Sequence, residues 1–355
     1  MATNFYRQSR RCSSAKRLAI AVLVSMLLIG CSDDKHSEPM SFMPSQVLAE
    51  NQARIASSRN LYGPSVRIRA SRRWRIHFLM KDFAWASPFW RRTQEGAEEA
   101  STELGTLLTV LAVERYAVED QIKQLDRLVS EGRTDGIIVA PLDSNRLAPV
   151  VEKAVAAGIP TIVYDTPLNA DGYLTFVGFD NFGAGSLLGR WVVEQLGGKG
   201  NVLILEGPQG HQNALERRNG MIHGLSEGDI NVLGLGSTDW QRQEAQNITR
   251  EWLERLKDID AILAGDDQMA LGAADAIANA GRTDIIVTGF DANADALLAI
   301  RSGRLHATVY QAPKQQARRA MQLMVRHLES GVPFPPTLLF DSIHLITNEN
   351  VTRYQ

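Results

Sequence analysis

Between residues 74 and 346 the chain alternates short apolar runs with longer amphipathic segments, and few folds accommodate that rhythm. Runs of strand length stand at 74–80, 107–113, 136–140, 161–164 and 173–178, and again at 201–205, 231–235, 261–265, 285–289 and 307–311. The segments between them have helical spacing. Val118, Ile122, Leu125, Leu128 and Val129, for example, stripe one face of a helix. A near-continuous apolar strand is one buried on both faces, so the sheets are expected to be parallel, with right-handed helical crossovers. The rhythm restarts after Gly178. The expected fold is therefore α/β, with two doubly wound parallel-sheet lobes, and a final extended stretch near 338–346 completes it.

The stretch Ala261-Ile-Leu-Ala-Gly-Asp-Asp-Gln-Met-Ala-Leu-Gly-Ala-Ala274 shows how such a lobe presents chemistry. An apolar strand stops at Gly265, two carboxylates follow, and an alanine-rich helix begins near Gln268. Ligands in open α/β sheets lie at the carboxyl ends of strands. Asp267 is expected to cap the helix, as acids in such turns commonly do, which leaves Asp266 facing the crevice.

The amino terminus does not share this pattern. Arg7, Arg10, Arg11, Lys16 and Arg17 precede an apolar run over 18–29, too short for a comfortable membrane span but suited to a signal peptide. The run ends in Leu28-Ile29-Gly30-Cys31, which resembles the bacterial lipobox, so lipidation at Cys31 is expected. Residues 31–72 are polar, serine-rich and broken by Pro39, Pro44 and Pro64, the composition of a tether, with one short helix expected around 47–55. The sequence has two cysteines, Cys12 and Cys31, both in this region. Beyond it no disulfide, thiolate metal site or cysteine nucleophile is expected. A net charge of −2 over 355 residues, with no long basic run, argues against nucleic acid as a partner.

One motif invites misreading. Gly183-Ala-Gly185-Ser-Leu-Leu-Gly189 has the look of a dinucleotide fingerprint, but Asp180-Asn181-Phe182 separate it from the preceding strand. These glycines are expected to let a helix pack closely on its sheet.

The strand ends carry a consistent set of side chains. Phe89 and Trp90 follow the first strand, Asp165 the fourth, and Arg217 opens from the segment 207–213. Trp240, Asp266, Asp291 and Gln311 end later strands. Aromatic planes with carboxylates, a guanidinium and a carboxamide suit a polyhydroxylated ring, whose hydroxyls need acceptors and donors and whose C–H faces stack. Each residue also has a plain structural use. Asp291 could cap a helix, Asp165 could fix a turn with Thr166-Pro167, and Arg217 could pair with Glu216 or Glu206. Phe89 or Trp90 could belong to the core, and Gln311 to a hinge. Seven strand ends carrying ligand-type groups together favour a site.

Several segments now align with a known family. Ser87-Pro-Phe-Trp90, Ile159-Pro-Thr-Ile-Val-Tyr-Asp165, Gly178-Phe-Asp-Asn181, Glu216-Arg-Arg-Asn-Gly220, Asp267-Gln-Met-Ala-Leu-Gly272, Gly289-Phe-Asp291 and Thr308-Val-Tyr-Gln311 occur in order. In this combination the sequence resembles the type I periplasmic binding proteins of the ribose and galactose class, from about residue 74 to 355. The resemblance implies that Phe89 and Trp90 stack on one face of a sugar or polyol and Trp240 supports the other. It also implies that Asp165, Asp266 and Asp291 accept from ligand hydroxyls while Arg217 and Gln311 donate. Ala140 and Thr166 stand where ribose binders carry an amide and an arginine, which leaves three acids facing Arg217 alone and makes ribose itself a poor expectation. An amine-bearing ligand fits the aromatics and acids as well.

The implied protein is a monomeric, envelope-located lipoprotein with no catalytic residue, metal or cofactor. It would deliver its ligand to an ABC permease. The alternative is a sensor docking on a membrane kinase or chemoreceptor. Expected segments are a signal peptide (1–30), a tether (31–72), one lobe from 73–180 with 312–340, and another from 181–311 with 341–355. They would be joined by hinge crossings near 178–181, 311–313 and 340–343.

Overall fold

The computed structural model describes residues 69–354 apart from 115, 116, 210, 341 and 342, so the signal peptide, the lipobox and the short helix expected at 47–55 lie outside the described residues. Two six-stranded sheets organise the rest. The first contains β1 (Arg75–Leu79), β2 (Leu107–Leu111), β3 (Gly136–Val139), β4 (Thr161–Tyr164), β5 (Thr175–Phe179) and β11 (Thr337–Phe340), ordered β11-β5-β4-β3-β1-β2. The second contains β6 (Lys199–Glu206), β7 (Asp229–Ser237), β8 (Ala261–Ala264), β9 (Ile286–Phe290), β10 (Ala307–Tyr310) and β12 (His344–Thr347), ordered β12-β10-β9-β8-β6-β7. All ten apolar runs are strands within these sheets.

The pairings are parallel with one exception. β12 runs antiparallel to β10, Ala307 opposite Thr347 and Tyr310 opposite His344, which corrects the expectation of parallel strands throughout. The stretch expected at 338–346 is in fact two strands in different sheets, so no helical crossover intervenes to turn the chain parallel.

Both sheets are buried on both faces, and the strand period of two shows how. Ile137 and Val139 of β3 enter one core with Leu125, Leu147 and Val151. Ile138 and Ala140 enter the opposite one with Phe78, Ala97 and Met324. In β8, Ala261 and Leu263 face a core containing Leu188 and Met221, while Ile262 and Ala264 face one containing Met269 and Ile300. This is why these strands read as continuous apolar runs.

Helices α1 (Pro88–Leu104), α2 (Val118–Glu131) and α3 (Ala148–Ala156) cover the first sheet, joined by α9 (Pro313–Ser330). The second sheet is covered by α4 (Asn181–Gln195), α5 (Gln212–Leu225), α6 (Arg242–Arg255), α7 (Asp267–Asn279) and α8 (Ala294–Arg301). The glycine motif has a different use from the one expected. A Cβ on Gly185 would sit 2.3 Å from the Arg217 carbonyl oxygen, and one on Gly189 2.4 Å from that of Met221. Gly220 and Gly224 return the contact onto Phe182 and Ser186. The glycines thus bring α4 against α5, helix to helix, and not onto the sheet.

In each sheet the strand order reverses beside the first strand, between β1 and β3 and between β6 and β8. Such a switch point opens a crevice at the carboxyl ends of the strands.

Candidate functional site

The carboxyl ends of both sheets converge on one cavity of about 120 Å³, and all eight residues singled out by sequence line it. From the first sheet come Lys81 and Asp82 after β1, Phe89 and Trp90 on α1, Leu142 after β3 and Asp165 after β4. From the second come His211, Asn213 and Arg217 around α5, Trp240 after β7, Asp266 after β8, and Asp291 and Asn293 after β9. Gln311, just past β10, lies where the chain leaves the second sheet.

The aromatic wall is built by a cap. Pro88 starts α1, and the Ser87 hydroxyl accepts from Trp90 N–H, so residues 89 and 90 leave the first turn toward the cavity. Their rings meet edge to face, centroids 5.0 Å apart at 85°. Trp90 is nearly buried and continues into the core toward Tyr164, which leaves Phe89 as the more exposed face. The core reading and the site reading of this pair are thus both satisfied, by different residues.

Arg217 is held at several points, and not by Glu216 or Glu206; Arg218 takes Glu206 instead. Its Nε donates to Asn181 Oδ1 at 2.8 Å and a terminal nitrogen to the Gly265 carbonyl at 2.7 Å. The guanidinium lies 4.0 Å from the Phe290 ring centroid, 5.5 Å from that of Trp240, and 3.7 Å from Asp291 Oδ1. This ties the start of α4 to the ends of β8 and β9. Gln311 donates its side-chain amide to the same Asp291 oxygen. Burial raises the Asp291 carboxyl to about pH 6, with Arg217 and Gln311 opposing the rise and Asp165 adding to it.

Two expectations need correction. Asp266, not Asp267, caps α7: its backbone is extended and its carboxylate accepts from Met269 N–H at 2.8 Å. Asp267 is the first helical residue and fully buried, and it reaches across to the next two strands. It accepts from Asn293 N–H and from the Thr308 hydroxyl, both at 2.6 Å, while that hydroxyl accepts from Ala292 N–H at 3.2 Å. The acid expected to cap a helix therefore clamps the turn that displays Asp291. Burial first, and then the neighbouring Asp291, raises its carboxyl well above the usual range.

The second correction concerns charge. Arg217 is not the sole cation. The Lys81 ammonium lies 2.8 Å from Asp165 Oδ2 and also donates to the Thr166 hydroxyl, which in turn donates to Asp165. Sequence reasoning passed over Lys81 as a loop residue, although its place directly after an apolar strand was a usable signal. Asn213 was missed too. Its amide donates to Asp165 Oδ2 at 3.3 Å across the cleft, and its buried Oδ1 has no hydrogen-bond partner. His211 is depressed to about 4, chiefly by burial and then by Lys81, so it is neutral at physiological pH.

Backbone strain concentrates here. Among the described residues, the non-glycine positions with positive φ are Asp165, Trp240, Asp291, Ala292 and Ala312. Three line the cavity and two adjoin residues that do. Such conformations cost about 1–3 kcal/mol each and persist where the surroundings enforce them, commonly at binding sites. Among the described residues no cluster of His, Cys, Asp or Glu is arranged to hold a metal ion.

Comparison with known proteins is consistent with this geometry. Residues 77–331 match the periplasmic binding protein domain. The protein is 35% identical over 196 residues to the xylitol-binding protein of Mycolicibacterium smegmatis, covering 55% of this chain but only 56% of that protein. It is 31% identical over 228 residues to the ribose import binding protein of Bacillus subtilis, covering 64% of this chain and 73% of that protein. The solved structure of an ABC transporter periplasmic solute binding protein from Actinobacillus succinogenes with bound D-allose superposes with a TM-score of 0.75. It is 30% identical, and the match covers 79% of this chain and 100% of that one.

Proposed function

Because this chain belongs to the periplasmic binding proteins, we propose that it captures one neutral sugar- or polyol-sized ligand between its two sheets and delivers it to an ABC importer. The observation that carries this is the convergence of Phe89, Asp165, Asn213, Arg217, Trp240, Asp266, Asp291 and Gln311, drawn from both sheets, on one cavity. Its 120 Å³ corresponds to roughly ten water-sized positions, the size of a pentose, hexose or pentitol. Phe89 and Trp240 supply faces for the C–H groups of a cyclic or open ligand, and Asp165, Asp266 and Asp291 accept from hydroxyls. Arg217 and Gln311 hold Asp291 in place and share their N–H groups with the ligand. The unpartnered Asn213 oxygen is a further acceptor.

Four carboxylates face two cations in the lining, so anions such as uronates and sugar phosphates are disfavoured. The relatives are named for xylitol and ribose, and the neutral ligands of this class are the first candidates here. Family membership makes this a binding protein and not an enzyme, and implies an extracytoplasmic location. Docking on a membrane kinase or chemoreceptor is the less favoured reading.

The proposal extends to organisation. The lobes are taken as 73–180 with 312–340 and 181–311 with 341–355, hinging at the three crossings, in a monomer tethered through residues 31–72 to a lipid at Cys31. The test is a thermal-shift screen of xylitol, D-ribose, D-allose and myo-inositol, followed by small-angle scattering of the best complex. At least one is expected to raise Tm in a concentration-dependent way and to reduce the radius of gyration. If none shifts Tm at millimolar concentration, the ligand class is wrong. If one binds with no change in scattering, closure is wrong.

A further inference from the structure

The loop between β1 and α1 has two sides. Lys81 and Asp82 enter the cavity, while Phe83 and Trp85 face outward on a turn closed by Ala86 N–H donating to the Phe83 carbonyl. Trp85 is 84% exposed, the most exposed large apolar side chain among the described residues. It nonetheless stacks on a partner: its ring lies near parallel to that of Phe83, at 13° and 5.6 Å between centroids. Burial does not explain that placement, since an indole left in water forfeits its largest contribution to stability.

Beneath this pair runs a second groove of about 740 Å³, continuous with the cavity through Asp82, Trp240 and Gln268, which line both. Its opposite wall comes from the second sheet and is polar: Gln241, Arg242, Gln243 and Asp295. Gln268 donates to Asp295 at 3.0 Å, which leaves its amide with a further donor and an acceptor. The inner cavity combines aromatic faces with hydrogen-bonding groups, and the groove repeats that combination one step outward, with Phe83 and Trp85 on one wall and polar side chains on the other.

We infer that this groove is a second saccharide subsite, taking the outer ring of a glycoside whose inner unit occupies the cavity. Stacking on Trp85 and Phe83 would hold the ring's C–H face, and the carboxamides opposite would meet its hydroxyls. The inference rests on the proposed function and deepens it, because it extends the ligand to a disaccharide or glycosylated polyol whose inner unit is the sugar or polyol held in the cavity.

The experiment is calorimetry on the full-length protein with paired probes: D-xylose against xylobiose, and myo-inositol against galactinol. At least one ring-extended probe is expected to bind about tenfold tighter than its parent. Trp85→Ala is expected to erase that gain, leave the parent's Kd within about twofold, and melt with the wild type because the side chain is exposed. Extended probes that all bind more weakly than their parents would overturn the subsite while leaving the cavity reading intact. Equal weakening of parent and extended probe by Trp85→Ala would also overturn it, making Trp85 a cover for the inner ligand. Binding of an extended probe whose parent is silent would support the subsite. Silence from every probe would overturn both readings.

Discussion

Asp266, Asp267 and Asp291 are three buried or nearly buried acids with separate tasks, and substitution tells them apart. Asp291 and Asp267 both titrate higher folded than unfolded, Asp267 through burial and the neighbouring Asp291; for Asp291 the contribution to stability is full below about pH 4 and is lost as pH rises through about 6. Asp291→Asn removes that cost while its amide oxygen still accepts from Gln311. It is expected to raise Tm at pH 7.5 by clearly more than at pH 5, where only part of that cost is present. The same change takes a charged acceptor from the ligand, which typically costs ~2–5 kcal/mol in binding, or at least about thirtyfold. Wild-type affinity should correspondingly fall as pH drops below about 6. Asp267→Ala should behave in the opposite way. It leaves the buried Asn293 N–H unpaired at a cost of about 1–3 kcal/mol, lowering Tm and weakening binding only through the loosened turn. Titration calorimetry and melting of both variants at the two pH values decide the assignment. Tight binding by Asp291→Asn, or an unchanged Tm in Asp267→Ala, would contradict it. The sequence showed that acids stand at these strand ends. It did not show which of two adjacent acids turns outward, because a one-residue shift in where a helix begins leaves the apolar pattern untouched.

At the scale of elements, the central strands were legible because they are buried on both faces, and helices because their apolar stripe is regular. Helix-to-helix contacts were less so. Gly185 and Gly189 on α4 against Gly220 and Gly224 on α5 make a backbone-to-backbone contact that depends on four residues from two separate segments. In an open helix, glycine to alanine stabilises by about 1 kcal/mol. Here the Cβ of Gly189→Ala would press on the Met221 carbonyl at 2.4 Å and the Leu225 nitrogen at 2.9 Å, neither of which can rotate away. The helices must part, and overpacking of this kind costs about 1–3 kcal/mol. Gly189→Ala should therefore lower the urea midpoint at unchanged slope. A midpoint at or above the wild type would show that the contact is looser than the geometry indicates. The last strand carries a similar lesson. An extended stretch near the end was readable, but its division between the sheets and the antiparallel direction of β12 follow from a connection without a helix.

The described residues form a cleft between two sheets, and the proposed tether sets where that cleft works. If Cys31 carries lipid, Cys31→Ser should move the protein from the detergent phase to the aqueous phase or leave it unprocessed. Unchanged partitioning of the variant would refute the anchor. What the sequence determined by itself was the α/β class and the set of residues at or just beyond the strand ends, eight of which meet in one cavity, three of them from the helices that follow. Both depend on short-range pattern: a strand buried on two faces must be apolar, and the residue that ends it stands at the crevice. Only the tertiary structure decided the partnerships. Lys81 answers Asp165 across 84 positions, Asn213 meets the same acid from the other sheet, and Asp267 clamps a turn 26 residues away. Such pairings depend on which strands lie side by side and how the two sheets face each other. Periodicity along the sequence carries no trace of either.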